Sequence, residues 1–160
     1  MIVSPNVEIA ARDGVVLRGD VARPDESEQV PVPVLLQRSP YGAQRSGTAA
    51  LLGLPDEPWV SLPLAVGASG MTLDEVLAAG FAVAVVDCRG THRSDGTFRW
   101  MATEATDGID VVTWLKEQPW CNGRVLGFGG SYVSATQFAT VLADPSTLSA
   151  ISPWVAPSRP

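Results

Sequence analysis

The sequence predicts an α/β fold built on a mostly parallel sheet, and three observations carry that prediction. From residue 72 onward, strand-like and helix-like stretches alternate, the pattern of parallel strands joined by right-handed crossovers. Phe81-Ala82-Val83-Ala84-Val85-Val86 is apolar without alternation, which suits a strand covered on both faces. Ahead of these, two short stretches meet at Arg12-Asp13-Gly14, a hairpin turn signal, so the sheet is mixed with an antiparallel pair at its N-terminal side.

Taken in order, Val7 to Ala10 alternates and forms the first strand, and Val15 to Val21 forms the second, ending near Pro24. Asp25 to Gln29 is a polar loop, and Val32 to Leu36 a buried strand that runs out at Ser39-Pro40-Tyr41-Gly42. Between Ala43 and Gly70 no periodicity is readable. Thr72 and Glu75 stand at capping-box spacing, which predicts a helix over Leu73 to Ala79, with Gly80 placed to end it. A longer helix spans Glu104 to Gln118: Ile109, Val112 and Leu115 form its apolar stripe, acidic residues crowd its first turns, and Pro119 stops it. Val125 to Phe128 is a short strand, Tyr132 to about Ala143 a helix closed by Asp144-Pro145, and Leu148 to Ile151 a last strand.

Composition bounds the function. The chain has 160 residues, 46% of them apolar and 18% charged, with 15 Gly and 13 Pro, which excludes a disordered, collagenous or coiled-coil chain. A domain of this size buries roughly 70% of the surface its unfolded chain would expose, so residues 1–160 are expected to form a single domain. With 11 basic against 17 acidic residues and no Lys/Arg stripe, a nucleic-acid partner is not expected. Two cysteines, Cys88 and Cys121, are too few for a disulfide framework and are read as buried thiols. The N-terminus lacks a basic n-region and a long apolar core, and the longest apolar run is far shorter than a membrane span. A soluble cytoplasmic chain with no membrane association is the expectation, and no motif calls for a cofactor or a metal.

The chemistry concentrates at Gly127-Phe128-Gly129-Gly130-Ser131-Tyr132, between a strand and a helix, where α/β proteins place ligands. One reading is a nucleophile elbow, a strained strand-to-helix turn that lifts the Ser131 hydroxyl above the sheet edge between small neighbours. Its oxyanion hole would use the backbone N–H of Tyr132 at the helix N-terminus. A second reading is a dinucleotide loop begun by Gly127 and Gly129, although its sixth position is Tyr132 and no acidic residue ends the following strand. A third is a glycine-rich turn without chemistry.

Beyond this motif the chain resembles the N-terminal half of the catalytic domain in the cocaine esterase / X-Pro dipeptidyl-peptidase-like (CocE/NonD) family of α/β-hydrolases. The matching segments run in order over nearly the whole chain. They include Arg12-Asp13-Gly14-Val15-Val16-Leu17, Pro33 to Gly42, Asp87-Cys88-Arg89-Gly90, Ser94-Asp95-Gly96-Thr97-Phe98, Gln118 to Val125, Gly129-Gly130-Ser131-Tyr132 and Leu148 to Pro153. The resemblance implies a partial α/β-hydrolase fold whose later strands are missing. It also implies a serine hydrolase of acyl esters or acyl peptides, working through an acyl-enzyme on Ser131. In that scheme Tyr132 supplies a backbone N–H to the oxyanion and Tyr41 supplies its phenol hydroxyl; otherwise Tyr41 is a plain turn residue after Pro40. Ser134 stands where the family has Gly or Ala and places a second hydroxyl nearby.

A serine nucleophile requires a base and an orienting acid, which in α/β-hydrolases follow the serine in chain order. No His follows Ser131, and Asp144 falls at the far end of the next helix. The one His, His92, sits in the loop after the Phe81–Val86 strand and reads as a surface residue. Asp87 and Arg89 read as loop-holding ion-pair residues, Glu104, Asp107 and Asp110 as helix-start acids, and Trp100, Trp114 and Trp120 as packing residues. The chain therefore carries the nucleophile and oxyanion half of a hydrolase, with a small acyl-ester or peptide substrate as its partner. It is expected to be inactive alone, and to pair with a complementing C-terminal chain or with itself through an exposed sheet edge. The alternative is a non-catalytic remnant or binding domain of the same fold.

Overall fold

The computed structural model describes residues 1–42 and 70–156, so the aperiodic stretch 43–69 lies outside the described residues. The strands are β1 (Ile2–Ala10), β2 (Val16–Arg23), β3 (Val32–Ser39), β4 (Ala82–Asp87), β5 (Cys121–Gly130) and β6 (Ala150–Trp154). The α-helices are α1 (Leu73–Ala78), α2 (Glu104–Lys116) and α3 (Tyr132–Ala143). One mixed sheet orders the strands β1-β2-β4-β3-β5-β6. β1 and β2 are antiparallel, as are β2 and β4, whereas β4, β3, β5 and β6 run parallel.

Periodicity sets the layers. Along β4, Ala82, Ala84 and Val86 point into a core with Ile9, Leu17, Val34, Leu36, Val111, Val112, Leu115 and Val125. Val83 and Val85 point to the opposite face, against Leu73, Val76 and Leu77 of α1 and Phe128 of β5. Both faces are covered, which is why this strand carries no polar alternation. α1 begins on the expected capping box: the Thr72 hydroxyl accepts from the Glu75 amide at 3.2 Å and the Glu75 carboxylate accepts from the Thr72 amide at 2.8 Å.

Several boundaries differ from the sequence expectation, each for a local reason. β1 starts at Ile2 because a bulge between Ser4 and Val7, with Asn6 at φ 53°, lets pairing resume beyond Pro5. Asp25–Glu28 is a 3₁₀ turn rather than irregular loop. α2 stops at Lys116, two residues early, because the Gln118 amide bonds the Leu115 carbonyl in a tighter turn and its side chain caps the Trp114 carbonyl at 2.9 Å. The buried stripe of α2 is Glu104, Asp107, Gly108, Val111, Val112 and Leu115, and Ile109 lies at its edge, half-buried. β5 extends through Gly130, and β6 runs over Ala150–Trp154 rather than Leu148–Ile151. Pro153 is tolerated there because β6 lies at the sheet edge. Among the described residues no helix is long and apolar enough to cross a membrane.

Candidate active site

The carboxyl ends of β3 and β5 lie side by side, since the two strands are parallel neighbours with Leu36 opposite Gly127. Two residues past the end of β3 stands Tyr41, half exposed at 55%. One residue past the end of β5 stands Ser131, exposed, with Tyr132 opening α3. The Tyr41 phenol oxygen is 3.1 Å from Ser131 Oγ, and the Tyr132 amide points at that phenol oxygen at 3.4 Å. The three groups singled out from sequence thus converge on one point above the sheet.

The turn itself is strained. Ser131 has φ 57° and ψ −127°, a region that costs a non-glycine residue about 1–3 kcal/mol and persists only where neighbours fix it. They do so on both sides of the serine, whose carbonyl accepts from the Ser134 and Ala135 amides at 3.0 and 3.3 Å. The Ser131 amide donates to the Trp154 carbonyl at 3.1 Å. The Ser134 hydroxyl lies 2.8 Å from the Gly129 carbonyl and 2.7 Å from that of Trp154, and Gln137 Nε2 donates to Gly129 at 3.1 Å. Ser134 is fully buried and committed to these carbonyls, so Ser131 is the hydroxyl presented at the surface. Glycine is required at two adjoining positions: Gly129 has φ 129° with Val133 against it, and a Cβ at Gly130 would overlap the Trp154 indole.

Gly127, Phe128, Gly129 and Gly130 all pair in the β5–β6 ladder. Glycines held in a strand are not free to wrap a pyrophosphate, so the dinucleotide alternative loses its loop.

The remaining candidates take other places. His92 is exposed at φ 46°, and its Nε2 lies 3.0 Å from the Pro40 carbonyl, beside the loop that carries Tyr41. Asp144 Oδ1 accepts from the amide and hydroxyl of Ser146, which holds its carboxyl below the ordinary range and ties it to the turn after α3. Asp87 pairs with Arg93 Nε at 2.8 Å, whereas Arg89 reaches across to Asp107 and Asp13. Trp114 and Trp120 pack against the core, but Trp100 is 70% exposed and lies edge-on to the Tyr132 ring at 4.7 Å. Among the described residues the hydrogen-bond partner of Ser131 Oγ is the Tyr41 phenol, and no group of three or more His, Cys, Asp or Glu is placed to hold a metal.

Two residues at this site escaped the sequence reading. Glu104, taken as a helix-start acid, is buried and accepts from the Tyr132 phenol at 2.7 Å. Arg38, in the last turn of pleat of β3, donates to that same carboxylate at 2.6 Å. Burial, and then the Glu104 carboxylate, push the Tyr132 phenol well above its ordinary pKa, so it is a neutral donor. The signal available in sequence was an arginine close behind the apolar run Val34-Leu35-Leu36 of a buried strand, where a charge demands a buried counter-charge.

Comparison with known proteins agrees with this placement of elements. A family described as X-Pro dipeptidyl-peptidase (S15 family) matches residues 13–159. Cocaine esterase of Rhodococcus sp. (strain MB1 Bresler) is 34% identical over 154 residues, 96% of this chain and 24% of that protein. Among solved structures, a CocE/NonD family hydrolase from Staphylococcus aureus superposes with a TM-score of 0.72 at 25% identity, covering 94% of this chain and 27% of the other. An α-amino acid ester hydrolase gives a TM-score of 0.71 at 25% identity, covering 96% and 25%. The chain spans about a quarter of the length of these relatives.

Proposed function

The chain belongs to the X-Pro dipeptidyl-peptidase (S15) family, and from that premise we propose that it carries the nucleophile and oxyanion hole of a serine hydrolase of acyl esters or acyl peptides. The observation that carries the proposal is the convergence of Ser131 Oγ, the Tyr41 hydroxyl and the Tyr132 amide. In the reaction, Oγ bonds to the substrate carbonyl carbon and the carbonyl π pair moves onto oxygen. That oxyanion takes hydrogen bonds from the Tyr132 N–H and the Tyr41 O–H. Collapse expels the alcohol or amine, which leaves with a proton and forms the acyl-enzyme, and water then releases the acid. The proton transfers need an imidazole and a carboxylate. His92 is engaged at the Pro40 carbonyl, so those groups are assigned to residues beyond this sequence, in the same polypeptide or a complementing chain seated along β6.

The test is a fluorophosphonate probe in mildly alkaline buffer containing free imidazole as the external base, with the adduct mapped by mass spectrometry. There the Oγ–P bond forms as P–F breaks, fluoride leaves and the proton goes to the imidazole. Labelling is expected on Ser131, is lost in Ser131→Ala, and slows about a hundredfold in Tyr41→Phe, the usual cost of one oxyanion donor. A chain labelled at another serine, or unlabelled after prolonged exposure, overturns the proposal. The unlabelled outcome favours a non-catalytic domain of the same fold, a reading supported by the lack of an imidazole bonded to Ser131 among the described residues.

A further inference from the structure

Beneath the strained turn lies a chain of buried polar groups that the reaction above does not use. Glu104 opens α2 and is 1% exposed, and Arg38 on β3 is 3% exposed. The Arg38 guanidinium meets one carboxylate oxygen at 2.6 Å and also donates to the Glu104 backbone carbonyl at 2.6 Å. The other carboxylate oxygen accepts from the Tyr132 phenol at 2.7 Å. The phenol oxygen itself accepts from the Met101 amide at 3.3 Å.

A buried ion pair is a poor source of net stability, because taking two charges out of water costs several kcal/mol per ion and apolar residues of like volume serve as well. What it provides is a fixed direction, and a hydrogen bond to a carboxylate is roughly twice as strong as a neutral one. The direction matters because of what Tyr132 carries at its other end. As the first residue of α3, its N–H has no partner within the helix. That vacancy leaves the N–H available to an oxyanion, while the carbonyl half of the same peptide, that of Ser131, accepts from the Ser134 and Ala135 amides at 3.0 and 3.3 Å. The serine side of the turn is held by the bonds to Trp154 and Gly129; the side after it is held by the first bonds of α3 to the Ser131 carbonyl and, beyond them, through the Tyr132 side chain.

The geometry points to Glu104, fixed by Arg38, as a positioning residue for the oxyanion hole: through the Tyr132 phenol it keeps the Tyr132 amide aimed where the Tyr41 hydroxyl also points. This rests on reading Ser131 as the nucleophile. The test compares wild type with Tyr132→Phe, which keeps the ring and its packing and removes the bond donated to Glu104 together with the weaker one accepted from the Met101 amide. Two quantities are read: NMR hydrogen exchange of the residue 132 amide, and the rate and concentration dependence of Ser131 phosphonylation by the fluorophosphonate. Loss of one such bond should speed exchange at residue 132 about fivefold or more, with β4 amides unchanged. Phosphonylation should slow by a similar factor at an unchanged half-saturating probe concentration, which a merely structural role would not produce. Glu104→Gln, which leaves the phenol an uncharged partner, should fall between, and it decides the matter by the same readings if Tyr132→Phe does not fold. Exchange at residue 132 within twofold of wild type in the folded variant overturns the inference. Faster exchange in a protein whose wild type is never phosphonylated upholds the tether while removing the nucleophile reading, so the two failures stay apart.

Discussion

Cys88 shows how one buried side chain ties stability to pH. It follows β4, is fully buried and is not in a disulfide. Burial pushes its thiol well up, Arg38 pulls part of that back, and Glu104 adds to the rise. Burial raises the Cys121 thiol as well. A group whose folded pKa lies above its unfolded value contributes stability that is complete below the unfolded pKa and is lost as pH climbs past it. The urea midpoint should therefore fall between about pH 8 and about pH 10, the range that brackets a free thiol. Cys88→Ala should fall less steeply, and an identical slope in that variant would count against thiol linkage. Ser131 teaches a second lesson at this scale. Its position after Gly129-Gly130 marks a turn in sequence, but the φ of 57° is held by bonds involving Trp154 and Ser134, which no local pattern announces.

At the scale of elements, the start of α2 is the most instructive. Its acids read in sequence as partners of the helix dipole, since negative charge at a helix N-terminus is favourable by less than a kcal/mol at the surface. The fold uses them differently. Asp107 has no exposed surface; Arg89 grips it through two bonds of 3.0 and 2.6 Å, and Thr103 donates at 3.0 Å. Arg89 continues to Asp13 at 2.7 Å and so fastens the first hairpin to this helix. Asp107→Asn leaves Arg89 short of its buried counter-charge and should lower the unfolding free energy by about 3–5 kcal/mol; a loss below about 1 kcal/mol in urea titration would show the pair to be solvated. Local signals made α1 with its Thr72 cap, the double-faced β4 and the hairpin at Gly14 legible. The misjudged features depend on chain far away: Gly129 and Gly130 extend β5 by pairing with Pro153 and Trp154 of β6, Cys121 extends its other end by pairing with Val32 of β3, and Glu104 turns inward because Arg38 waits there.

At the scale of the molecule, the sheet has two outer strands with different protection. β1 is blunted by a bulge and by Pro5. β6 has Pro153 alone, and nearby on the surface Leu142 and Val155 are strongly exposed. An edge of this kind templates pairing with another strand. The 160-residue chain by itself is therefore expected to self-associate in light scattering. Ala150→Lys, which puts a charge on an exposed edge position, should shift it toward monomer. A monodisperse wild-type monomer removes this expectation.

Tyr41 and Ser131 stand 90 residues apart in the chain and face one another only where β3 and β5 run together. A ribosome that has released the first hairpin, β3 and β4 has yet to release β5, which leads into the hydroxyl, and β6. Until β5 slots in beside β3, and the polypeptide bends once more into α3, the phenol faces open water. The pairing of these two hydroxyls is thus a late arrival during synthesis, absent from every shorter nascent form.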